Sequence, residues 1–371
     1  MKRTLVLVLT IPAIWLLFHF LSGGAVLTSG NMVNLFKYLT VVGILSTGMT
    51  FVMAAGHIDL SVGSGLGLLG AMNALLIYKF HWSLALALVA GLCLAVLMGL
   101  LHGSLVAYLK VPAFIVTLSG LMAYMGLKQY LANPVIPIQN TGLLLIGQGY
   151  LTPWQAYLFC GVLVAALGYL TWKGIRNRLK HGTKPSPVWR TWGGWAGICL
   201  MALAFTLVCN QDRGVPLCVL NMVVAATLYH VLAVRTRFGR HVFAMGSNRE
   251  AAQYSGISIP LHTVGVFVLL AIMTWLAGLV ATSQLMAAAA DIGDYQEMYA
   301  IAACVIGGTS LRGGTGNVWM SLLGALLMAS ILNGMEQVGI PSTMQKVILG
   351  VILTASVALD QMPSGQRKKA T

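Results

Sequence analysis

The sequence HIDLSVG places a histidine and an aspartate, His57 and Asp59, two positions apart between long apolar runs. The chain carries eight acidic residues, and Asp59 is the one that we expect closest to membrane depth. An ionisable side chain inside a membrane is costly and by default functional. One interpretation is a proton relay between His57 and Asp59, which would suit a secondary, ion-coupled carrier of sugar or another small solute.

A second interpretation gives Asp59 a local structural role. Asp59 is well placed to cap a helix that starts at Leu60 or Ser61, where its carboxylate would accept backbone N–H bonds. We favour the cap, because a carrier driven by an ion gradient would more often hold several acids in the membrane. The ion-coupled carrier stays open as the alternative.

The sequence lacks the residue patterns that support catalysis. No G-x-x-x-x-G-K-[ST] phosphate loop occurs, and the closest fragment, HGTKPS, lacks the first glycine. The six cysteines show no metal-type spacing, although Cys209 and Cys218 flank a short predicted outer loop and could pair. The glycine-rich IGGTSLRGGTGN follows an apolar helix rather than a strand, so we interpret it as a hairpin or re-entrant turn. We predict that the chain is not an enzyme and has no catalytic residues, metal or cofactor.

The polar stretch GSNREAAQYSGISIP, residues 246–260, predicts a short helix between two apolar segments. Ser247 and Glu250 fit the S-x-x-E capping box at its start. Gly256 stands where a left-handed terminating residue is needed, and Pro260 would prevent continuation. About two turns of helix are too short to be stable alone. We predict a rigid knob that docks on another protein and moves the membrane helices; a surface helix that only orders a loop is the alternative.

Composition then defines the scaffold that must position these groups. Apolar residues make up 58% of the chain and charged residues 8%, whereas soluble domains carry about a quarter charged residues. Apolar runs of nearly membrane-spanning length, about 20 residues, recur along the whole chain. We predict an all-α polytopic membrane protein, one transmembrane domain over residues 1–371. About ten helices would span the membrane, or twelve if the Gly-interrupted segments at 62–77 and 113–127 cross fully rather than re-enter.

The net charge of +14 is distributed by membrane side. Basic residues concentrate in two polar loops, about 173–192 and 235–262, and near both ends of the chain. Cytoplasmic segments carry such an excess, so we expect both termini in the cytoplasm and no nucleic-acid partner. The uncharged interval 133–153 would then lie outside, available to an external partner. The outer side would keep scattered cations: Lys37, Lys79, Lys128, Arg213 and Lys346.

Five motifs together resemble one family of membrane proteins. GSNREAAQYSGI looks like the cytoplasmic EAA-type coupling loop of monosaccharide ABC-importer permeases. IDLSVGS, KVPAFIVTL, TRFGR and AIAACVIGGTSLRGG also resemble that family and occur in its order, over residues 40–360. The longer middle segment, from the basic loop to CNQDRGVP, makes the chain most similar to the D-xylose branch.

The resemblance implies a multi-pass subunit of the bacterial inner membrane that imports a monosaccharide, with D-xylose as the expected cargo. It implies a cytoplasmic ABC ATPase subunit, a periplasmic sugar-binding protein, and a second permease copy as partners, in contact with membrane lipid. The expected contacts with the ATPase are Ser247, Asn248, Glu250, Ala251, Ala252 and Gly256. The family's IDLSVG pattern places Ile58, Asp59, Leu60, Ser61 and Gly63 near the translocation path. His57 departs from the small residue common before that motif.

Overall fold

A computed structural model describes residues 2–180 and 188–361 of the chain, which form helices and one short two-stranded sheet. The helices are α1 (Lys2–Leu21), α2 (Ser29–Ala54), α3 (Val62–Tyr78), α4 (Leu84–Ala107), α5 (Ala113–Leu131), α6 (Thr141–Gln148), α7 (Pro153–Lys180), α8 (Val188–Asn210), α9 (Leu217–Arg235), α10 (Arg237–Ser247), α11 (Arg249–Tyr254), α12 (Ile259–Leu285), α13 (Gln296–Gly307), α14 (Val318–Gln337) and α15 (Ser342–Gln361). The strands are β1 (Ile136–Pro137) and β2 (Ala287–Ala288).

Membrane-crossing helices dominate this architecture. Among the described residues, six helices are long and apolar enough to cross a membrane: Thr4–Leu21, Ser29–Ala54, Leu84–Ala107, Leu217–Arg235, Ile259–Leu285 and Val318–Gln337. Shorter apolar helices accompany them: Val62–Tyr78, Pro153–Ala165, Trp195–Asn210 and Ser342–Ala355. The prediction of an all-α polytopic membrane protein is confirmed. The number of crossings, ten or twelve, and their direction stay predictions.

The predicted loops are more structured than the sequence indicated. The basic interval at 173–192 lies partly outside the described residues, since α7 runs to Lys180 and α8 begins at Val188. The interval at 235–262 folds into α10 and α11. The uncharged interval at 133–153 holds β1 and α6, and the Asn140 side chain caps α6 by accepting the Leu143 N–H at 3.0 Å.

The central helix of the bundle is α2, which is buried along most of its length and packs against α9, α12, α13 and α14. Its hydroxyl groups donate hydrogen bonds to backbone carbonyls of the same helix: Thr47 donates to the Gly43 carbonyl at 2.8 Å and Thr50 to the Ser46 carbonyl at 2.7 Å. Gly48 allows α12 to approach, because a Cβ there would lie 2.9 Å from Leu270 Cδ1. Small residues and local hydrogen bonds therefore allow α2, with its several hydroxyl side chains, to occupy the core.

The chain re-enters the bundle between β2 and α13. After α12, β2 pairs antiparallel with β1, with Ile136 opposite Ala288. The following segment then packs on α3, where the Ile292 carbonyl occupies the space that a Cβ at Gly67 would need. Gly63 has the same function for the Gly293 carbonyl, which would be 2.6 Å from its Cβ. The two glycines of α3 thus admit a non-helical backbone into the bundle. The sequence does not predict this entry, since the segments it marks as candidates for re-entry, 62–77 and 113–127, lie in α3 and α5.

Candidate functional site

The first candidate site is the short helix α11, whose N-cap is Asn248. The Asn248 backbone is extended, with φ −154° and ψ 104°, and its Oδ1 accepts the Ala251 N–H at 2.9 Å. The predicted Ser247 cap is wrong, because Ser247 is the last residue of α10 and donates its hydroxyl to the Phe243 carbonyl at 2.9 Å. Glu250 lies in the first turn of α11, where a negative charge is favoured by the helix dipole.

The end of α11 agrees with one prediction and corrects another. Gly256 is left-handed, with φ +80°, as expected, and the Ile257 N–H reaches back to the Ala252 carbonyl at 3.1 Å. Such a hydrogen bond closes the helix behind a left-handed glycine. Pro260 does not end α11. It lies in the first turn of α12, where the missing N–H is not needed, and so it helps to start the next helix.

The helix α11 presents most of its surface to solvent. Ala252 is its buried side chain, whereas Asn248, Glu250 and Ala251 are exposed and Tyr254 is 92% exposed. A helix of six residues that buries one alanine cannot be stable through its own packing. Its position must therefore come from the elements on either side.

The position of α11 is set by a junction at the end of α10. The Ala54 carbonyl, at the end of α2, lies against Gly246 so closely that a Cβ at Gly246 could not be accommodated. The same carbonyl accepts the Gly314 N–H at 2.9 Å. The end of α10 therefore contacts the end of the buried central helix, so α11 is joined to α2 through this junction.

A cavity of about 670 Å³ opens beside α11. Most of its wall is apolar, and its polar lining residues are His57, Lys110, Arg249, Gln253 and Ser258. Burial and the positive charge of Arg249 lower the pKa of His57 to about 4, so the imidazole is neutral at neutral pH. The His57 Nε2 is buried without a hydrogen-bond partner among the described residues. The recess is therefore lined by two cations and a neutral histidine.

The second candidate site surrounds Asp59, whose partner is not His57. The Asp59 Oδ1 accepts the Ser61 N–H at 2.8 Å and the Ser61 hydroxyl at 2.6 Å. Its Oδ2 lies 3.8 Å from Nδ1 of His102, and Nε2 of that histidine lies 3.0 Å from the Tyr124 hydroxyl. Asp59 thus accepts a backbone N–H in the turn before α3, as the cap hypothesis predicts. The helix itself begins at Val62, later than the predicted start at Leu60 or Ser61. A His57–Asp59 relay is not formed within the described structure.

The residues predicted for the path cluster at the start of α3. Asp59, Ser61 and Gly63 are buried, whereas Ile58 and Leu60 are partly exposed. Gly63 lies against the carboxylate of Glu297 in the first turn of α13. His57, which adjoins the path residues in sequence, and Arg249 of α11 line the same recess.

Sequence reasoning missed two charged residues inside the bundle, Lys128 and Glu297. Lys128, expected in an outer loop, is a fully buried residue of α5. Its Nζ donates to Asp294 Oδ1 at 2.6 Å and to the Ile292 carbonyl at 3.0 Å. Glu297 is also buried, so Asp59 is not the only acid in the bundle interior. A lysine within the apolar pattern of residues 113–131 was the available signal.

Two further expectations about single residues are wrong. Cys209 and Cys218 are buried free thiols, so the disulfide considered between them is not formed. Cys218 instead receives contacts from Thr40 and Gln284, each 3.7 Å from its sulfur. Lys346 lies in the second turn of α15 rather than in a loop, with its Nζ 4.7 Å from the centre of the Tyr295 ring.

Known proteins with sequences similar to this chain include permease proteins of sugar transport systems. The chain is 37% identical over 360 residues to the xylose transport system permease protein XylH of Escherichia coli (strain K12), covering 96% of this chain and 91% of the relative. It is 36% identical over 359 residues to XylH of Haemophilus influenzae, covering 96% and 95%. The ribose import permease protein RbsC of Bacillus subtilis (strain 168) is 29% identical over 337 residues, covering 90% and 85%. No solved structure matches the chain.

A family model extends over most of the membrane region. Residues 31–357 match the family described as branched-chain amino acid transport system / permease component. Together with the apolar helices, these relatives place the chain among multi-pass proteins of the bacterial inner (plasma) membrane. The chain belongs to this family of transport-system permease components.

Proposed function

We propose that the chain is the permease subunit of an ATP-binding-cassette importer for a monosaccharide, with D-xylose as its cargo. The relatives named above are permeases of xylose and ribose systems, and those named for xylose share the higher identity. The observation that carries the proposal is α11, an exposed six-residue helix joined through Gly246 to the buried helix α2. Such a knob suits a subunit that is moved by a separate motor.

The ATPase subunit docks on α11 in this proposal. Asn248 and Gly256 fix the two ends of the knob, Glu250 and Ala251 face outward, and Ala252 anchors it. The adjoining recess carries Lys110 and Arg249. Charge complementarity favours acidic side chains on the ATPase opposite these cations. Ser247 contributes through the junction with Gly314, whose carbonyl lies 3.5 Å from its hydroxyl.

The remaining partners follow from the same proposal. ATP hydrolysis belongs to the ATPase subunit, since this sequence has no phosphate-loop motif. A periplasmic sugar-binding protein delivers cargo to the outer face, and a second copy of the chain completes the pathway. The stretch from Ile58 to Gly63 lies near that pathway. An ion-coupled carrier using His57 and Asp59 is not favoured, because Asp59 lies next to His102 instead.

Reversal of the charge at Glu250 tests this function. We expect Glu250→Lys to prevent co-purification of the ATPase subunit, because the substitution removes an exposed carboxylate from the docking helix and places a positive charge at the dipole-positive end of α11. Membrane insertion should be unchanged, since Glu250 is exposed. Asp212→Lys, also at an exposed position, is the matched control and should retain the ATPase. Normal co-purification and ATP-driven uptake with Glu250→Lys would overturn the assignment.

A further inference from the structure

The re-entrant segment between β2 and α13 lies near the middle of the membrane. The helix α4 is a clear span of 24 residues, and Ala95 is at its midpoint. Ala95 packs in one cluster with Leu68 and Leu69 of α3. The Ile292 carbonyl contacts Gly67, the residue that precedes them. Residues 292–295 are therefore at about the depth of the α4 midpoint.

At this depth a buried cation holds an exposed anion. Lys128 has no exposed side-chain surface, whereas the side chain of Asp294, bonded to it at 2.6 Å, is 43% exposed. A charge at the bilayer centre is costly. Charged groups in membrane segments accordingly face the protein interior or a water-filled cavity. The exposed oxygen of Asp294 therefore indicates water rather than lipid on this face.

An aromatic ring and a second cation lie beside this carboxylate. Tyr295 follows Asp294 and is 42% exposed, and its backbone is held left-handed at φ +67°. That conformation is unfavourable for a bulky residue, and it fixes where the ring stands. Lys346 of α15 places its Nζ 4.7 Å from the ring centre. The face thus combines a hydrogen-bond acceptor, a donor and a flat apolar ring.

We propose that Asp294, Tyr295 and Lys346 form the sugar-contacting constriction of the translocation path, an inference that rests on the proposed import function. A monosaccharide is uncharged and offers hydroxyl groups with C–H faces between them. The Asp294 carboxylate accepts hydrogen bonds from the hydroxyls, the Lys346 ammonium donates to them, and the Tyr295 ring packs on a C–H face. Lys128 is a positioning residue, because it is buried behind Asp294.

Reactivity of introduced cysteines tests whether this face is wet. We expect Tyr295→Cys, in the assembled importer in proteoliposomes, to react with a charged methanethiosulfonate reagent. The depth-matched control is Leu97→Cys, since Leu97 lies near the midpoint of α4 and is 61% exposed. Because the thiolate is the reactive form and hydrocarbon disfavours it, Tyr295→Cys should react at least about tenfold faster. The parent protein, with its native cysteines, gives the background rate.

The inference also predicts the effect of the reaction. Tyr295→Cys should retain less uptake than the parent importer, since it lacks the ring, and labelling should abolish the ATP-driven xylose uptake that remains. Xylose present during turnover should slow the labelling. Equal, slow labelling at positions 295 and 97 would overturn the inference, and so would labelling that leaves uptake unchanged. Uptake by the unmodified importer in the same preparation tests the import function separately, so failure of one is distinguishable from failure of the other.

Asp294→Asn gives a second variant without the cysteine chemistry. The amide keeps the size of the side chain but removes the charge that Lys128 and the sugar hydroxyls contact. We expect xylose uptake to fall about tenfold or more, as for loss of a charge-assisted hydrogen bond, with binding-protein-stimulated ATP hydrolysis retained. Asp212→Asn, at an exposed position outside the bundle, should transport normally. Unchanged uptake with Asp294→Asn would contradict a role for this carboxylate.

Discussion

At the scale of single residues, the neighbours Ser247 and Asn248 stabilise different helices. Asn248 closes the helix through the Ala251 N–H, whereas the adjacent Ser247 hydroxyl completes α10. The sequence pattern S-x-x-E suggested the opposite assignment, because the motif does not reveal that α10 continues to Ser247. The sequence indicates a basic loop where the amphipathic helix α10 lies. The predicted cap, Ser247, therefore precedes the observed cap, Asn248, by one residue.

This difference predicts unequal effects of two alanine substitutions. Asn248→Ala should destabilise α11 by about 1 kcal/mol, because it removes the acceptor of the Ala251 N–H. Its affinity for the ATPase should fall accordingly, by about fivefold to tenfold. Ser247→Ala is the neighbouring control and should change affinity less, and Asn248→Asp should restore it. Titration of the ATPase against the detergent-purified variants measures the affinities; an equal loss in both alanine variants would refute the cap assignment.

His57 predicts a pH dependence of stability. The pKa of His57 is about 4 in the folded protein, against about 6.5 for an ordinary histidine, so the unfolded chain binds this proton more readily. Stability should therefore be complete above about pH 6.5 and fall as the pH drops toward 4, by on the order of 1–3 kcal/mol. Thermal unfolding of the wild type and His57→Gln across this range isolates the effect. Identical pH slopes for the two proteins would exclude it.

The partner of Asp59 shows what local sequence cannot specify. His57 is two residues away, yet its side chain lines the recess beside α11, whereas Asp59 contacts Ser61 and His102. His102 reaches Asp59 from a different helix, α4, because α3 and α4 pack together. The turn before α3 followed from the aspartate alone, whereas the histidine contact needed the packing of two helices.

At the scale of secondary-structure elements, the junction between α10 and α2 is the connection that matters for transmission. The Ala54 carbonyl fits against Gly246 and accepts the Gly314 N–H. A glycine permits this contact because any side chain would occupy the space of the carbonyl. In the sequence, Gly246 is the first residue of the stretch that predicts the short helix. Its contacts with Ala54 and Gly314, which are distant in sequence, depend on the fold.

Gly246→Ala should separate α11 from the bundle. The added methyl group must displace the Ala54 carbonyl, at a cost of about 1–3 kcal/mol as for overpacking elsewhere. We expect a lower unfolding temperature and a loss of ATP-driven uptake in the assembled importer. Gly161→Ala is the matched control: Gly161 lies in α7 with open space at its Cβ position, so it should be neutral or slightly stabilising. Equal unfolding temperatures and uptake for the two variants would contradict the junction.

Apolar patterns in the sequence were sufficient to predict some helices of the bundle but not others. Long uninterrupted runs such as α4 and α12 were recognisable because each is apolar enough to cross a membrane. The segment from β2 to α13 was not, since its path depends on contacts of Ile292 and Gly293 with glycines of α3. Lys128 was assigned to a loop because its charge obscured the helix that continues to Leu131.

At the scale of the whole molecule, the chain is a helical membrane bundle that exposes one short helix. Composition and the repeated apolar runs were enough to predict the membrane class, since 8% charged residues cannot cover a soluble protein of this size. The family relationship extends over residues 31–357. The burial of charged groups inside the bundle, such as Lys128 and Glu297, could be recognised only from the three-dimensional arrangement.

The most direct test of the account is sugar accumulation in proteoliposomes that contain the purified chain. With the ATPase subunit, the sugar-binding protein and ATP present, we predict accumulation of labelled xylose against its gradient. Without the ATPase, we predict no uphill accumulation, whether or not a proton gradient is imposed. Accumulation by the chain alone, driven by a proton gradient, would contradict the claim that a separate motor acts through α11.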